Sequence, residues 1–238
     1  MVKHSQSPRE TLVAPANNVC LPYPYHRQPV ASLPEMITAL PAGFRSLALN
    51  YRLSVPVMTL IHRVTIKGEY IDQMHQQAPT ATINAANMQE VEYCVRLLTC
   101  PDITLVERAC CIGLLVAVMD SSRTEHFSPY YEQQLQFHSK ELLGNREMFR
   151  DIDLSEFYVW AAFDIAATMV PPRRAFLSPN YRSDIRFELL LAVLRQSRHL
   201  RWDDVLDILN KFFSTPRCIE SWHSCWKLGL DYLAQLGN

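Results

Sequence analysis

The chain has 238 residues, of which 48% are apolar and 20% charged, and its formal net charge is −1. That length and balance fit a globular domain with a sizeable core and exclude a disordered or collagen-like chain. The near-neutral charge supplies no global drive toward nucleic acid or an anionic membrane, and six glycines are too few for a glycine-rich β architecture.

Residues 1–34 read as an irregular, proline-rich lead-in, because Pro8, Pro15, Pro22, Pro24, Pro29 and Pro34 interrupt any helix there. No apolar leader opens the chain, and its longest apolar run, Ala109 to Met119, is far too short to span a bilayer. Residues 35–238 read as one helical domain. Phe44, Leu47 and Ala48 begin a short amphipathic helix, and Val57, Leu60, Ile61 and Val64 recur at helical spacing in a second, Val55 to Met74. A third runs from Asn87 to Leu98, with Asn87 and Glu90 resembling a capping pair. Pro101 is placed to open the next, which is apolar nearly all round from Ile103 to Met119 and therefore central.

Ser128 and Pro129 open a further helix, which Gly144 closes as a left-handed cap. Asp153 or Ser155 starts a strongly apolar helix that Pro171-Pro172 ends. Three more, Ser183 to His199, Trp202 to Phe213 and Cys218 to Gln235, complete the chain. Nothing alternates with period two, so the expected fold is all-α, an irregular bundle of eight to ten helices.

Local spacing offers little chemistry. The seven cysteines, Cys20, Cys94, Cys100, Cys110, Cys111, Cys218 and Cys225, are odd in number and are expected as free thiols in a reducing compartment, nucleus or cytoplasm. The eight histidines include no i, i+4 pair, and no G-x-S-x-G elbow is present. Asp203-Asp204-Val-Leu-Asp207 fits the magnesium-binding DDxxD pattern of terpene cyclases. Two of those aspartates also occupy a helix's first turn, where the macrodipole favours negative charge, and the structural role is the stronger expectation.

Two charge-biased segments stand out. Between residues 173 and 201 lie seven arginines against Asp184 and Glu188, and between 120 and 156 lie eight acids against four bases. Mutual neutralisation or a solvated face is expected of both, with an anion site as the other reading. Aromatic residues gather in the last third. Most should be core, yet a helical bundle can leave an apolar cavity between its helices. Trp160, Phe163, Trp222 and Trp226, with Arg173 and Arg174 from the arginine run, are the candidate ligand-binding residues.

Several segments carry a resemblance. Leu40-Pro-Ala-Gly-Phe-Arg-Ser-Leu47 is similar to an "LP-x-GF-x-x-L" stretch, and Val106-Glu-Arg-Ala-Cys-Cys-Ile-Gly-Leu-Leu115 to an "E-x-A-C-R-L-A" helix. Val159-Trp-Ala-Ala-Phe-Asp-Ile-Ala-Ala167 resembles a "VWAL…GGIAA" helix, with Arg173-Arg174-Ala175-Phe176 after it. Trp202-Asp-Asp-Val-Leu206, Phe212-Phe213, Cys218 and Trp226 resemble a closing "W-x-x-V … FLW … C-x(7)-W" pattern. In this order, over residues 40–233, they resemble the fungal-specific transcription factor domain.

The resemblance implies an all-helical regulatory region that senses small molecules and lies carboxy-terminal to a six-cysteine, DNA-binding zinc cluster. Here no C-x2-C-x6-C array exists, and Cys218 and Cys225 keep only a C-x6-C interval where four ligands are wanted. No metal, no other cofactor and no sequence-specific DNA binding by this chain are therefore expected. It would be the effector portion of a longer regulator or a stand-alone relative. The function so implied is non-catalytic: binding a small apolar ligand or a protein partner, a second copy included, in transcription regulation, with secondary metabolism as the setting. The alternative is a helical tailoring enzyme or cyclase that uses the bundle cavity on an apolar metabolite.

Overall fold

A computed structural model describes residues 32–51, 53–74, 80–121, 129–147, 152–169, 181–197 and 199–236. They form ten α-helices: α1 (Leu33–Ala39), α2 (Ala42–Tyr51), α3 (Val55–Met74), α4 (Thr80–Leu98), α5 (Leu105–Ser121), α6 (Pro129–Gly144), α7 (Ile152–Ala167), α8 (Ile185–Gln196), α9 (Trp202–Leu209) and α10 (Pro216–Leu236). No strand occurs among the described residues, so the fold is all-α as expected. No described helix is long and apolar enough to cross a membrane.

Two helices organise the rest. Every residue from Ala109 to Met119 in α5, and from Phe157 in α7 to Met169 just after it, is buried. A helix apolar on all sides has no face to give to solvent and goes to the centre. The pair pack on each other, α5 also against α3, α4 and α6, and α7 also against α2, α6, α8, α9 and α10. The outer helices keep one apolar stripe each. In α10, Cys218, Ser221, Trp222, Cys225, Trp226 and Gly229 are buried at three- and four-residue spacing.

Helix ends depart from expectation at several places, each for a local reason. α1 begins at Leu33, inside the expected lead-in; Pro34 sits in its first turn, where a missing N–H costs nothing. α4 begins at Thr80, so Asn87 lies within it and is not a cap. Gly144 ends α6 without entering the left-handed region. α5 starts at Leu105 and not at Pro101, because Thr104 and Glu107 form a reciprocal cap: Glu107 N–H donates to Thr104 Oγ1 at 3.2 Å, and Thr104 N–H to Glu107 Oε2 at 3.0 Å. α10 starts two residues early, where Thr215 Oγ1 accepts from Cys218 N–H at 3.2 Å and Pro216 takes the first helical position.

Glu107 serves two helices. Its other oxygen, Oε1, accepts from Ser54 N–H at 2.7 Å, at the start of α3. Burial pushes this carboxyl up, but the hydrogen bonds from Ser54 and Thr104 outweigh it and hold it below the ordinary glutamate value. A carboxyl held below its unfolded value adds stability that is present above the unfolded pKa and lost as pH falls through the folded one. Glu107→Gln should therefore cost about 1 kcal/mol at neutral pH. The variant should then lose less stability than the unsubstituted chain on acidification to about pH 3, as read by urea unfolding at both pH values.

Candidate functional site

Four of the six candidate residues lie on α7 and α10, and the two helices bring them into two adjoining aromatic groups. The first is sealed. Trp160 stacks on Phe212 with centroids 5.6 Å apart and meets Phe44 edge-on at 5.1 Å. Its Nε1–H donates to the Phe213 carbonyl at 3.2 Å, so the one polar atom of the indole is satisfied inside the core. Two glycines make room. A Cβ on Gly113 of α5 would lie 2.4 Å from Trp160 Cη2, and one on Gly43 of α2 would lie 2.5 Å from the Phe212 ring.

The second group runs outward. Phe163 stacks on Trp226 at 6.4 Å, Trp226 meets Trp202 at 6.1 Å, and Trp202 meets His223 at 4.8 Å. Trp226 is 7% exposed, whereas Trp160, Phe163 and Trp222 are fully buried. Trp202 and His223 are partly exposed. Trp222 is fixed by its Nε1–H, which donates to the buried Asp164 carboxylate at 3.2 Å. An apolar contact can therefore reach this system at the Trp202–His223–Trp226 edge without opening the core. Arg173 and Arg174 lie outside the described residues.

Several other chemistry-bearing side chains among the described residues are held in structural roles. His138 is buried and its Nδ1 lies 3.3 Å from Glu141 Oε2, with Arg108 on the other carboxylate oxygen at 2.5 Å. Burial lowers the His138 pKa against the pull of Glu141, and among the described residues no thiol or hydroxyl bonds its ring. Burial pushes the thiols of Cys94, Cys110 and Cys111 well up, which makes them poor nucleophiles. Cys94, Cys100, Cys110, Cys111, Cys218 and Cys225 are free, and Cys20 lies outside the described residues. Among the described residues no three His, Cys, Asp or Glu side chains gather as a metal set.

The charged segments divide. Arg186, fully buried, is neutralised by Asp184 and by Glu132 of the acid-rich segment, each at 2.6 Å. Arg201 lies 3.7 Å from Asp204 on the surface. Asp204 also accepts from Arg201 N–H at 2.8 Å, at the start of α9. Asp203 and Asp207 are exposed. Asp204→Ala should consequently cost about 1 kcal/mol as a lost helix cap. Asp203→Ala and Asp207→Ala should stay within about 0.5 kcal/mol of the parent in the same urea titration. Equal costs at all three positions would point to a shared role that the cap does not explain.

No protein family, no curated protein and no solved structure matches this chain.

Proposed function

We propose that this domain is a non-catalytic regulatory module that binds a small apolar ligand or a protein partner and acts in transcription regulation, in nucleus or cytoplasm. The observation that carries the reading is that the segments resembling the fungal-specific transcription factor domain pack on one another. Gly43 N–H from the first donates to the Lys211 carbonyl at 2.7 Å, close to the Phe212-Phe213 pair. Trp160 from the third segment donates to Phe213, and Asp164 receives Trp222 from the last.

The mechanism follows from the second aromatic group. A ligand or partner seated on Trp202 and Trp226 would press on Trp226, which stacks on the buried Phe163 of the central helix α7. If it prefers one arrangement of α9 and α10 over another, it shifts the population toward that arrangement. Fusing the full chain to a heterologous DNA-binding domain tests this. The fusion should change output from a matching reporter, and Trp202→Ala should alter that change while leaving the helical circular dichroism intact. A folded fusion with the same output as the DNA-binding domain alone would contradict the proposal.

A further inference from the structure

We propose that a cleft formed by the end of α6, the Tyr181–Ser183 turn, α8 and the end of α10 binds a small phosphate ester. Its volume is about 370 Å³ and its wall carries three guanidiniums, Arg146, Arg182 and Arg195, against one carboxylate, Glu188. Glu188, Leu191, Ala192 and Arg195 occupy i, i+3, i+4 and i+7 of α8, so one helix face lines the cleft. Arg186 lies nine residues before Arg195, on the opposite face of α8. There it is neutralised by Asp184 and Glu132. The same helix thus turns a spent arginine inward and an unspent one into the cleft.

None of the three cleft arginines is neutralised by a strong ion pair among the described residues. Arg182 donates to neutral groups, Tyr181 Oη at 3.4 Å and Gln235 Oε1 at 3.3 Å, and its guanidinium lies 5.2 Å from the centroid of the Tyr232 ring. Those contacts leave its charge in place. Arg146 reaches only the adjacent Glu147, at 3.9 Å with both side chains more than half exposed, a pairing worth little in water. Among the described residues Arg195 makes no ion pair, and Glu188 lies about 10 Å away along the helix axis.

Three exposed guanidiniums from three elements give the cleft a local positive potential that a phosphate dianion complements. Guanidinium forks match phosphate oxygens in pairs. The partly exposed Leu143 and Tyr232, with Leu191 and Ala192 buried beneath, add a small apolar strip for the organic part of an ester, which does nothing for a bare ion. The volume lies at the small-molecule end of ligand sites. A nucleic-acid surface needs cations spread along many phosphates, and this chain has a net charge of −1. The site goes beyond the regulatory reading and does not depend on it.

Calorimetric titration of the full chain with phenyl phosphate, inorganic phosphate and phenol tests the proposal. Phenyl phosphate should bind saturably, one per chain, and about tenfold more tightly than inorganic phosphate; phenol should not bind. Arg195→Glu and Arg146→Glu should each weaken phenyl phosphate about tenfold or more, while Lys227→Glu, at an exposed position outside the cleft, should leave it unchanged. Arg195→Gln replaces the glutamate variant if circular dichroism shows that the latter does not fold. Absence of saturable binding, or equal weakening by Lys227→Glu, overturns the site. So does an oligonucleotide or phosphopeptide that binds through these arginines when phenyl phosphate does not.

Discussion

Trp160→Ala should lower the unfolding free energy by about 4 kcal/mol, measured by urea titration. The indole is fully buried among Phe44, Phe157 and Phe212, and removing it leaves a large cavity and the Phe213 carbonyl without its donor. The neighbouring glycine sharpens the prediction. Gly113→Ala puts a methyl carbon 2.4 Å from Trp160 Cη2, so ring or helix must move, at about 1–3 kcal/mol. A phenylalanine at position 160 lacks the atoms that clash. In the Trp160→Phe background, Gly113→Ala should therefore cost much less than it does alone, a non-additivity expected only of residues in contact. Simple addition of the two costs would mean that the tryptophan is not seated on α5.

Arg186→Met should cost about 3 kcal/mol by the same measurement, and Arg186→Lys should recover less than half of that loss. The guanidinium grips Asp184 with Nε at 2.9 Å and Nη2 at 2.6 Å, grips Glu132 with Nη1 at 3.1 Å and Nη2 at 2.6 Å, and reaches Thr168 Oγ1 at 3.0 Å. It ties α6, the end of α7 and α8 into one knot, and an ammonium cannot offer two forks. Methionine fills the space but leaves the half-buried Asp184 carboxylate without its charge partner, held among the described residues only by Gln136 and the backbone N–H of residue 186. The cost is set toward the lower end for such pairs because Glu132 can turn to solvent, its side chain being 31% exposed. Burial raises the Asp184 pKa, but the Arg186 hydrogen bonds and charge take it below 3.8 overall. Stability from this group is thus present above the unfolded pKa and lost as pH falls through the folded one, and Arg186→Met should blunt that loss.

The helical class was legible because α5 and α7 have no polar face, and such a segment can only be central. Helix starts were legible where a motif was read and missed where it was passed over. Thr104-Leu-Val-Glu107 is a capping signature and Thr215-Pro216 a start signal, yet Pro101 and Cys218 drew the boundaries instead. The start of α4 at Thr80 had no comparable cue.

Arg186 shows what sequence order hides. Counted along the chain it is one arginine in a surplus, but its partner Glu132 is 54 residues away and only folding reveals the cancellation. Arg182 and Arg195 look the same in sequence and meet no such carboxylate among the described residues, and Arg146, outside the run altogether, joins them in the cleft. The aromatic spacing identified core residues correctly in kind. That Trp226 reaches solvent through Trp202 and His223 depends on how α9 crosses α10, which no local pattern encodes.

On the proposed function, this domain binds and responds without transforming what it binds. Native mass spectrometry of the folded chain, after exposure to an extract of apolar fungal metabolites, tests it most directly. The account predicts a retained small molecule whose mass stays constant with time, and loss of that adduct in Trp202→Ala. A bound molecule whose mass changes during incubation would contradict it and make the chain an enzyme.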